Sequence, residues 1–403
     1  MPKKVLILTA DAGSGHRNAA IAVYKALTEL YGNELEIKVV NPLDEKKTPA
    51  FLKDSQKDYD KWVRNVPELY KFGYDFSDGV VPKTIMESVL IVSLYEVMHN
   101  LVEIEQPDVI VTTYPLYQAP IHAALVIRHY HIPVISILTD LATVHHIWFN
   151  SEVDIYIVPN EIVKNLAIKS GVTKDKIHVI GIPVDPKISK NTKNKQELRK
   201  ELNLLENKIT IFAVGSKREE NLLESLNMLN HSGFDIQLIV SAGNDKSLLQ
   251  ELKDVVWHIN TKLYEYIEDM PSYLLASDLV ISKAGGLIVT EALACGLPLI
   301  MVSIIPGQET GNANYVIEGN AGYSVDNPVQ FLEAISHLLL HDKKKLFEMQ
   351  KNAIELGNAD AAYEISKIIR NAVYAEHHND KKHMDFRLKI VELLSQNQIA
   401  VDK

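Results

Sequence analysis

Short apolar runs alternate with longer helical patterns along most of this chain. The first six runs are rich in β-branched residues and are bounded by turn residues: KVLILTA, EIKVVNPL, DVIVTTYP, PVISILTD, DIYIVPN and KIHVIGIP. Such runs are typical of strands that are buried on both faces of a parallel sheet. We therefore predict one parallel sheet with helical crossovers in the first half of the chain.

A polar segment separates this series from a second one. Residues 186–207 are mostly polar or charged and carry no strand signal, which predicts an interdomain linker that continues into a surface helix. The runs KITIFAVGS, DIQLIVSAG, VVWHINTK, LVISKAG and PLIMVSII follow. The predicted fold class is therefore α/β, with two doubly wound, Rossmann-like lobes and a ligand-binding interdomain cleft.

The pattern also sets the predicted domain boundaries. The N-terminal lobe spans residues 1–185, the linker 186–207, and the C-terminal lobe 208–371. Residues 372–403 form a C-terminal segment with an amphipathic helix, whose apolar face predicts packing. The sequence leaves open whether this helix crosses back to the N-terminal lobe.

Composition and charge narrow the class of protein. The 403 residues are 46% hydrophobic and 23% charged, which predicts a globular chain of about two domains. A net charge of −10 argues against a nucleic-acid partner. Cys295 is the one cysteine, so we expect no disulfide framework and a reducing cytoplasm. We also expect no signal peptide and no apolar stretch approaching the roughly 18 residues of a membrane span.

The richest candidate chemistry lies in the second lobe. The strand run LVISKA meets Gly285 and Gly286, and a helix opens near Leu287. Bare glycines and the N–H groups of a helix start can hold a diphosphate without a metal ion, although an ordinary tight turn explains the same residues. Glu291, one turn into the helix, is placed to accept the two hydroxyls of a ribose. Its alternative role is to stabilise the helix dipole.

A second polar cluster follows the next strand run. The stretch PGQETGNANY gathers amide and carboxylate side chains that suit sugar hydroxyls: Gln308, Glu309, Asn312 and Asn314. The same composition also fits an ordinary loop.

These motifs resemble a known family. The order D-x-x-x-(S/T)-K-x-G-G-x-x-x-x-E-A-L-x-x-G-x-P and then P-G-Q-E-x-x-N is similar to the nucleotide-sugar motif of GT-B glycosyltransferases, in the family that contains monogalactosyldiacylglycerol synthases and processive diacylglycerol glucosyltransferases. The resemblance covers roughly residues 3–370. It implies that Glu291 and the backbone near Ile267 bind uridine and that Gly285 and Gly286 bind the diphosphate. The donor sugar would meet Gln308 and Glu309, with Asn312 nearby.

The resemblance also gives a role to the first loop of the chain. In ILTADAGSGHRNAA, it implies that Gly13 and Gly15 bring the backbone close to the donor phosphates and that His16 is the general base, or at least aligns the acceptor hydroxyl. A neutral imidazole suits this task because its ordinary pKa is close to neutral pH. By itself, a histidine at a helix start is more often a capping or packing residue.

The acceptor side is expected in the same lobe. The family carries T-D followed by H-x-x-W, which corresponds here to Asp140, His145 and Trp148, with His146 as a competitor for His145. Residues 58–95 mix aromatic side chains, Trp62 among them, with basic ones. This mixture suits an interfacial surface that receives a lipid acceptor, and a helical pair with an aromatic core explains it equally well.

The predicted function is that of an inverting glycosyltransferase. The resemblance implies transfer of a hexose from UDP-glucose or UDP-galactose to diacylglycerol, in some cases repeatedly, with no cofactor and no metal required. We expect a cytoplasmic protein bound peripherally to the inner face of the cell membrane, at anionic lipids. Three alternatives remain at this stage: transfer to an undecaprenyl-linked acceptor, a UDP-sugar 2-epimerase, and a nucleotide-sugar sensor.

Overall fold

The protein consists of two units, each built on a six-stranded parallel sheet. In this computed structural model, residues 2–11, 14–50, 52–53, 80–215, 222–302, 304, 308–375, 384–397 and 399 are described. One unit comprises Met1–Pro183 with Asp360–Lys403, and the other comprises Val184–Ala359. The predicted α/β class with two doubly wound sheets is confirmed.

The first sheet has the strand order β2-β1-β3-β4-β5-β6, and all of its neighbouring strands are parallel. Its strands are β1 (Lys3–Leu8), β2 (Leu35–Val40), β3 (Val109–Thr112), β4 (Val134–Ile137), β5 (Ile155–Val158) and β6 (Ile177–Val179). Its helices up to the boundary are α1 (Ser14–Tyr31), α2 (Val80–Glu105), α3 (Gln118–Arg128) and α4 (Glu161–Lys169). Each of the six strands coincides with a run of the sequence pattern.

Both faces of this sheet are covered by helices. On one face, Val23 and Leu27 of α1 pack with Ile7 of β1 in a fully buried cluster. On the other face, α2 and α3 contribute Leu94 and Ile121 to the larger core. Strands that are enclosed in this way require apolar side chains on both sides, which explains the continuous rather than alternating runs.

Helix α2 departs from one expectation. Residues Lys83–Glu105 are long and apolar enough to cross a membrane by length and composition, so the expectation that no stretch reaches that length is wrong. However, the side chains of Leu90, Leu94, Met98 and Leu101 are buried in the core of the first unit. Of this apolar stretch, 44% is buried inside the protein, and a core helix passes the same test of length and hydropathy.

The second sheet has the order β12-β11-β10-β7-β8-β9 and is also parallel. Its strands are β7 (Ile209–Val214), β8 (Ile236–Ser241), β9 (Asn260–Tyr264), β10 (Leu279–Ser282), β11 (Leu299–Met301) and β12 (Gly322–Ser324). Its helices are α5 (Pro186–Lys190), α6 (Lys195–Glu201), α7 (Leu222–Asn230), α8 (Lys246–Asp254), α9 (Met270–Ala276), α10 (Gly286–Ala294), α11 (Gln308–Glu318), α12 (Pro328–Leu339) and α13 (Lys344–Leu356).

Residues 186–207, predicted as a linker, are packed onto the second unit. Helix α6 begins with a capping box, in which the side chain of Asn194 accepts from the Glu197 backbone and the Glu197 side chain accepts from the Asn194 backbone. Arg199 is buried, and its Nη2 lies 2.6 Å from the Asp278 carboxylate just before β10. The charged composition of this segment therefore did not reveal that one of its residues is buried. An arginine can be buried when the carboxylate that pairs with it is buried as well.

The chain end also differs from the predicted boundaries. Helix α14 (Ala361–Tyr374), which the sequence placed in the second lobe, belongs to the first unit because Ile365 and Ile369 are buried beside β1 and β3. Helix α15 (Met384–Gln396) follows and buries Ile390 and Leu394 in the first core. The first unit is thus completed by the end of the chain.

Two strands were read imperfectly from the sequence. The run VVWHINTK becomes a strand only from Asn260, because the amide of Asn230 binds the backbone of Val256, His258 and Ile259 and holds this stretch as a loop. Strand β12 was missed, since three residues with the sequence GYS carry no apolar run.

Each sheet has one point at which the strand order reverses. In the first sheet this point lies between β1 and β3, and in the second between β7 and β10. Connections leave toward opposite faces on the two sides of such a point, so a crevice opens at the carboxyl ends of the strands. A ligand site is therefore expected among the residues that follow β1, β3, β7 and β10.

The Arg199–Asp278 ion pair gives a stability prediction. Replacing Arg199 with Met leaves a buried carboxylate without its main cation, and we expect a loss of about 3 kcal/mol in the free energy of unfolding. Lys195 also contacts Asp278, at 3.0 Å, but its side chain is 40% exposed. Lys195→Met should therefore cost less than about 1 kcal/mol. Urea unfolding of both variants checks this, and equal losses would contradict it.

Candidate active site

His16 occupies the switch point of the first sheet. It lies in the first turn of α1, directly after the loop that leaves β1. Its Nδ1 is 2.7 Å from the carbonyl oxygen of Thr113, the residue that follows β3, and 2.9 Å from the hydroxyl of Thr139, beyond the end of β4. Three strands of one rigid sheet therefore fix a single imidazole.

These contacts determine which ring nitrogen is basic. A carbonyl oxygen only accepts hydrogen bonds, so Nδ1 of His16 carries the proton and donates to Thr113. In the neutral ring Nε2 is then the nitrogen with a free lone pair. Burial of the ring lowers the pKa of His16 to about 4, against a smaller opposing effect of the Thr113 carbonyl. The residue as a whole is partly exposed, and with this lowered pKa its imidazole is neutral at pH 7.

Aromatic side chains complete the surroundings of this ring. Tyr114 meets it edge to face with centroids 5.0 Å apart, and Trp148 lies 6.0 Å away. The indole Nε1 of Trp148 donates to the carboxylate of Asp140 at 2.9 Å. The structure thus brings Asp140 and Trp148 to His16, with Asp140 acting through the indole.

His145 has a different place. Its Nδ1 accepts from the backbone N–H of Ile147 at 3.1 Å, which caps the short 3₁₀ helix His146–Trp148. The neighbouring His146 lies 2.9 Å from the hydroxyl of Ser170. His145 therefore positions the turn that carries Trp148, and its contact with an acceptor stays a prediction.

Several predicted site residues lie outside the described residues. This applies to Gly13, to Trp62 with its aromatic neighbours, and to the side chain of Gln308. Gly15 is described, and a Cβ built on it would meet no atom of the described residues within 4 Å. The space beside this backbone is therefore open.

The second unit places the other predicted residues around the turn from β10 to α10. Gly285 is the N-cap of α10 and offers no side-chain cap, so the first N–H groups of the helix are left without a capping side chain. Glu309 and Asn312 of α11 lie beside this turn. The carboxylate of Glu309 is 2.6 Å from the Lys283 ammonium, and the amide of Asn312 donates to the carbonyl of Ala284 at 3.0 Å.

Glu291 is buried one turn further along α10. Burial raises the pKa of its carboxyl to about 8, and the nearby negative charge of Asp185 adds to the shift. It is therefore largely protonated at pH 7 in the unliganded protein. Ile267, on the loop between β9 and α9, is also buried. Both residues belong to the second unit, where Ile267 follows β9 and Glu291 follows β10 of the same parallel sheet.

Three residues of this arrangement were missed as functional candidates. Thr113 and Thr139 are the last residues of the runs DVIVTT and PVISILT, and Lys283 lies within the turn motif quoted above. A usable signal existed, because polar residues at the end of a buried strand reach the carboxyl edge of a sheet. Within the described part of the chain, no group of three or more His, Cys, Asp or Glu side chains could hold a metal ion.

The charge state of His16 can be measured directly. We expect ¹⁵N-labelled histidine spectra to show a neutral ring protonated on Nδ1 at pH 7, with a titration midpoint near pH 4 because burial disfavours the charged form. The His16→Ala variant identifies the resonance among the 15 histidines of the chain. A midpoint near 6.5, or a proton on Nε2, would contradict this geometry.

Comparison with known proteins agrees with the two-unit organisation. Residues 16–184 match the family described as Monogalactosyldiacylglycerol (MGDG) synthase, and residues 209–365 match the Glycosyltransferase family 28 C-terminal domain. Monogalactosyldiacylglycerol synthase 3 of Arabidopsis thaliana, a chloroplastic protein, is 32% identical over 386 residues. The alignment covers 92% of this chain and 81% of that protein.

Solved structures share the fold. The MurG protein of Acinetobacter baumannii has a TM-score of 0.58 at 16% identity, over 92% of this chain and all of the other. The UDP-GlcNAc 2-epimerase of Neisseria meningitidis, bound to UDP-GlcNAc, has a TM-score of 0.60 at 16% identity, over 91% of this chain and all of the other. The predicted GT-B fold is confirmed. Given the extended identity to the plant synthase, the chain belongs to the monogalactosyldiacylglycerol synthase family of glycosyltransferases.

Proposed function

We propose that this protein is an inverting glycosyltransferase that moves a hexose from UDP-glucose or UDP-galactose to diacylglycerol. The observation that carries the proposal is the fixed ring of His16, in which the proton on Nδ1 leaves Nε2 as the basic nitrogen. Family membership supplies the reaction class, because the Arabidopsis relative is named a monogalactosyldiacylglycerol synthase. Such a transfer needs one group that accepts the proton of a lipid hydroxyl.

In the proposed reaction, the acceptor hydroxyl gives its proton to Nε2 of His16 while its oxygen attacks the anomeric carbon. The bond from that carbon to the diphosphate breaks, and UDP leaves with the electron pair. The Thr113 carbonyl, already bonded to Nδ1, stabilises the imidazolium that forms. Attack from the face opposite to UDP inverts the configuration of the sugar.

The second unit takes the nucleotide in this proposal. Glu291 and the backbone at Ile267 bind uridine, and the turn at Gly285 and Gly286 binds the diphosphate. The uncapped start of α10 supports this assignment, since free N–H groups and the helix dipole favour an anion. We assign the charge of the leaving UDP to this turn and not to a metal ion or another cofactor.

In this proposal the donor sugar binds at the start of α11, where we assign its contacts to Gln308, Glu309 and Asn312. The lipid acceptor is assigned to the first unit, together with Trp148 and the aromatic segment around Trp62. We place the enzyme peripherally at the cytoplasmic face of the cell membrane, where diacylglycerol and anionic lipids are present.

The function can be tested with purified protein and diacylglycerol in mixed micelles. We expect UDP release and a mono- or dihexosyl diacylglycerol with UDP-glucose or UDP-galactose, read by mass spectrometry of the lipids. UDP-N-acetylglucosamine serves as the third donor. UDP release without a diacylglycerol product would point to another acceptor, such as an undecaprenyl-linked one. Detection of free, epimerised UDP-sugar would contradict the proposal and identify the protein as a UDP-sugar 2-epimerase.

His16→Ala should lower the transfer rate by roughly 10²–10⁴-fold while UDP binding is retained, because a positioned base contributes about that much. His231→Ala is the matched control, since His231 is exposed, lies in the second unit and contacts the carbonyl oxygen of Asn227. It should keep nearly all of the activity. Equal losses in the two variants would remove His16 from the proposed role.

Gly15 allows a second test in which stability and activity change in opposite directions. Gly15→Ala should raise the stability of α1 by roughly 0.5–1 kcal/mol, because alanine is the better helix former and its Cβ would meet no atom of the described residues within 4 Å. The same methyl group would obstruct a donor phosphate that approaches the bare backbone. We therefore expect a higher melting temperature together with a higher KM for the UDP-sugar. An unchanged KM would exclude close approach at Gly15.

A further inference from the structure

Lys283 and Glu309 form an enclosed ion pair at the turn that is proposed to take the diphosphate. Their charged atoms are 2.6 Å apart, and the side chains are 19% and 6% exposed. The ammonium also lies beside the helix start, since a Cβ on Gly285 would stand 3.2 Å from Cε and 3.5 Å from Nζ of Lys283. Lysine, carboxylate and turn are therefore immediate neighbours.

This ion pair offsets an electrostatic repulsion that is expected in the proposed donor site, between the Glu309 carboxylate and the donor diphosphate. A carboxylate is a strong acceptor for sugar hydroxyls, and Glu309 is assigned to the donor sugar. The same negative charge repels a diphosphate bound one turn away, and the repulsion is large where solvent is excluded. A carboxylate at this place is compatible with UDP only if a nearby cation offsets its charge.

We propose that Lys283 is a positioning residue of the donor site, which neutralises Glu309 and thereby allows a sugar-binding carboxylate to stand beside the donor diphosphate. The inference rests on the proposed function. Neither family resemblance nor the sequence pattern assigned a role to Lys283. Asn312 supports the arrangement, because its bond to the Ala284 carbonyl fixes α11 against the same turn.

The proposal predicts opposite effects for the two members of the pair. Lys283→Met leaves the Glu309 carboxylate without this cation, so the Kd for UDP should rise about tenfold. Glu309→Gln leaves the ammonium without this carboxylate, so the Kd for UDP should fall several-fold, while sugar transfer declines. The double variant should return to within about threefold of the wild-type Kd. The measurement is calorimetric titration with UDP at pH 7, below the pKa of about 8 of Glu291.

Uridine is the matched ligand, because it occupies the nucleoside site without any phosphate. Its Kd should be unchanged in all three variants, which also shows that they are folded. Weaker UDP binding in both single variants would overturn the proposal and identify an ordinary structural ion pair. An equal change in the Kd for uridine and UDP would do the same. A wild-type protein that binds neither ligand would instead refute the proposed function.

Discussion

The reversal of strand order in each sheet is the constraint on which the rest of the structure depends. Parallel strands all end at one edge, and only at the reversal do the following connections separate enough to leave that edge accessible. His16 follows β1 and contacts Thr113 after β3, across the reversal of the first sheet. The Lys283–Gly286 turn follows β10 at the reversal of the second. Both groups of residues are consequently held by rigid strands and not by long loops.

Burial has opposite effects on the two key titratable groups. It lowers the pKa of His16 to about 4 and raises the pKa of Glu291 to about 8, so both side chains are largely uncharged at pH 7. The stability contributed by a neutral His16 is present above its ordinary value of 6.5 and is lost as the pH falls toward 4. The stability contributed by a protonated Glu291 is present below 4.5 and is lost as the pH rises through 8. Between about pH 4.5 and 6.5 these two contributions therefore change in opposite directions.

Local patterns predicted most of the strands, the turn at Gly285 and Gly286 and the start of α10, because each depends on residues close together in the chain. The contacts that give these residues their chemistry are distant in sequence. His16 lies 97 residues from Thr113 and 123 from Thr139, and Lys283 lies 26 from Glu309. Residues 186–207 were wrongly predicted to be a linker for a related reason, because Asp278, which pairs with the buried Arg199, is 79 residues away in sequence. Composition showed which side chains were polar and could not show which of them were paired.

The proposed donor side of the second unit presents little negative charge to an incoming diphosphate. Glu291 is largely protonated before the nucleotide arrives, and Glu309 is matched by Lys283. The start of α10 adds the positive end of a helix dipole, and its N-cap, Gly285, has no side chain to cap it. Two carboxyl groups can therefore serve ribose and sugar hydroxyls at a site that must also attract an anion. In the proposed site the position of Lys283 controls how strongly the diphosphate is held, and the proposed base, His16, is uncharged until it accepts the proton of the acceptor hydroxyl.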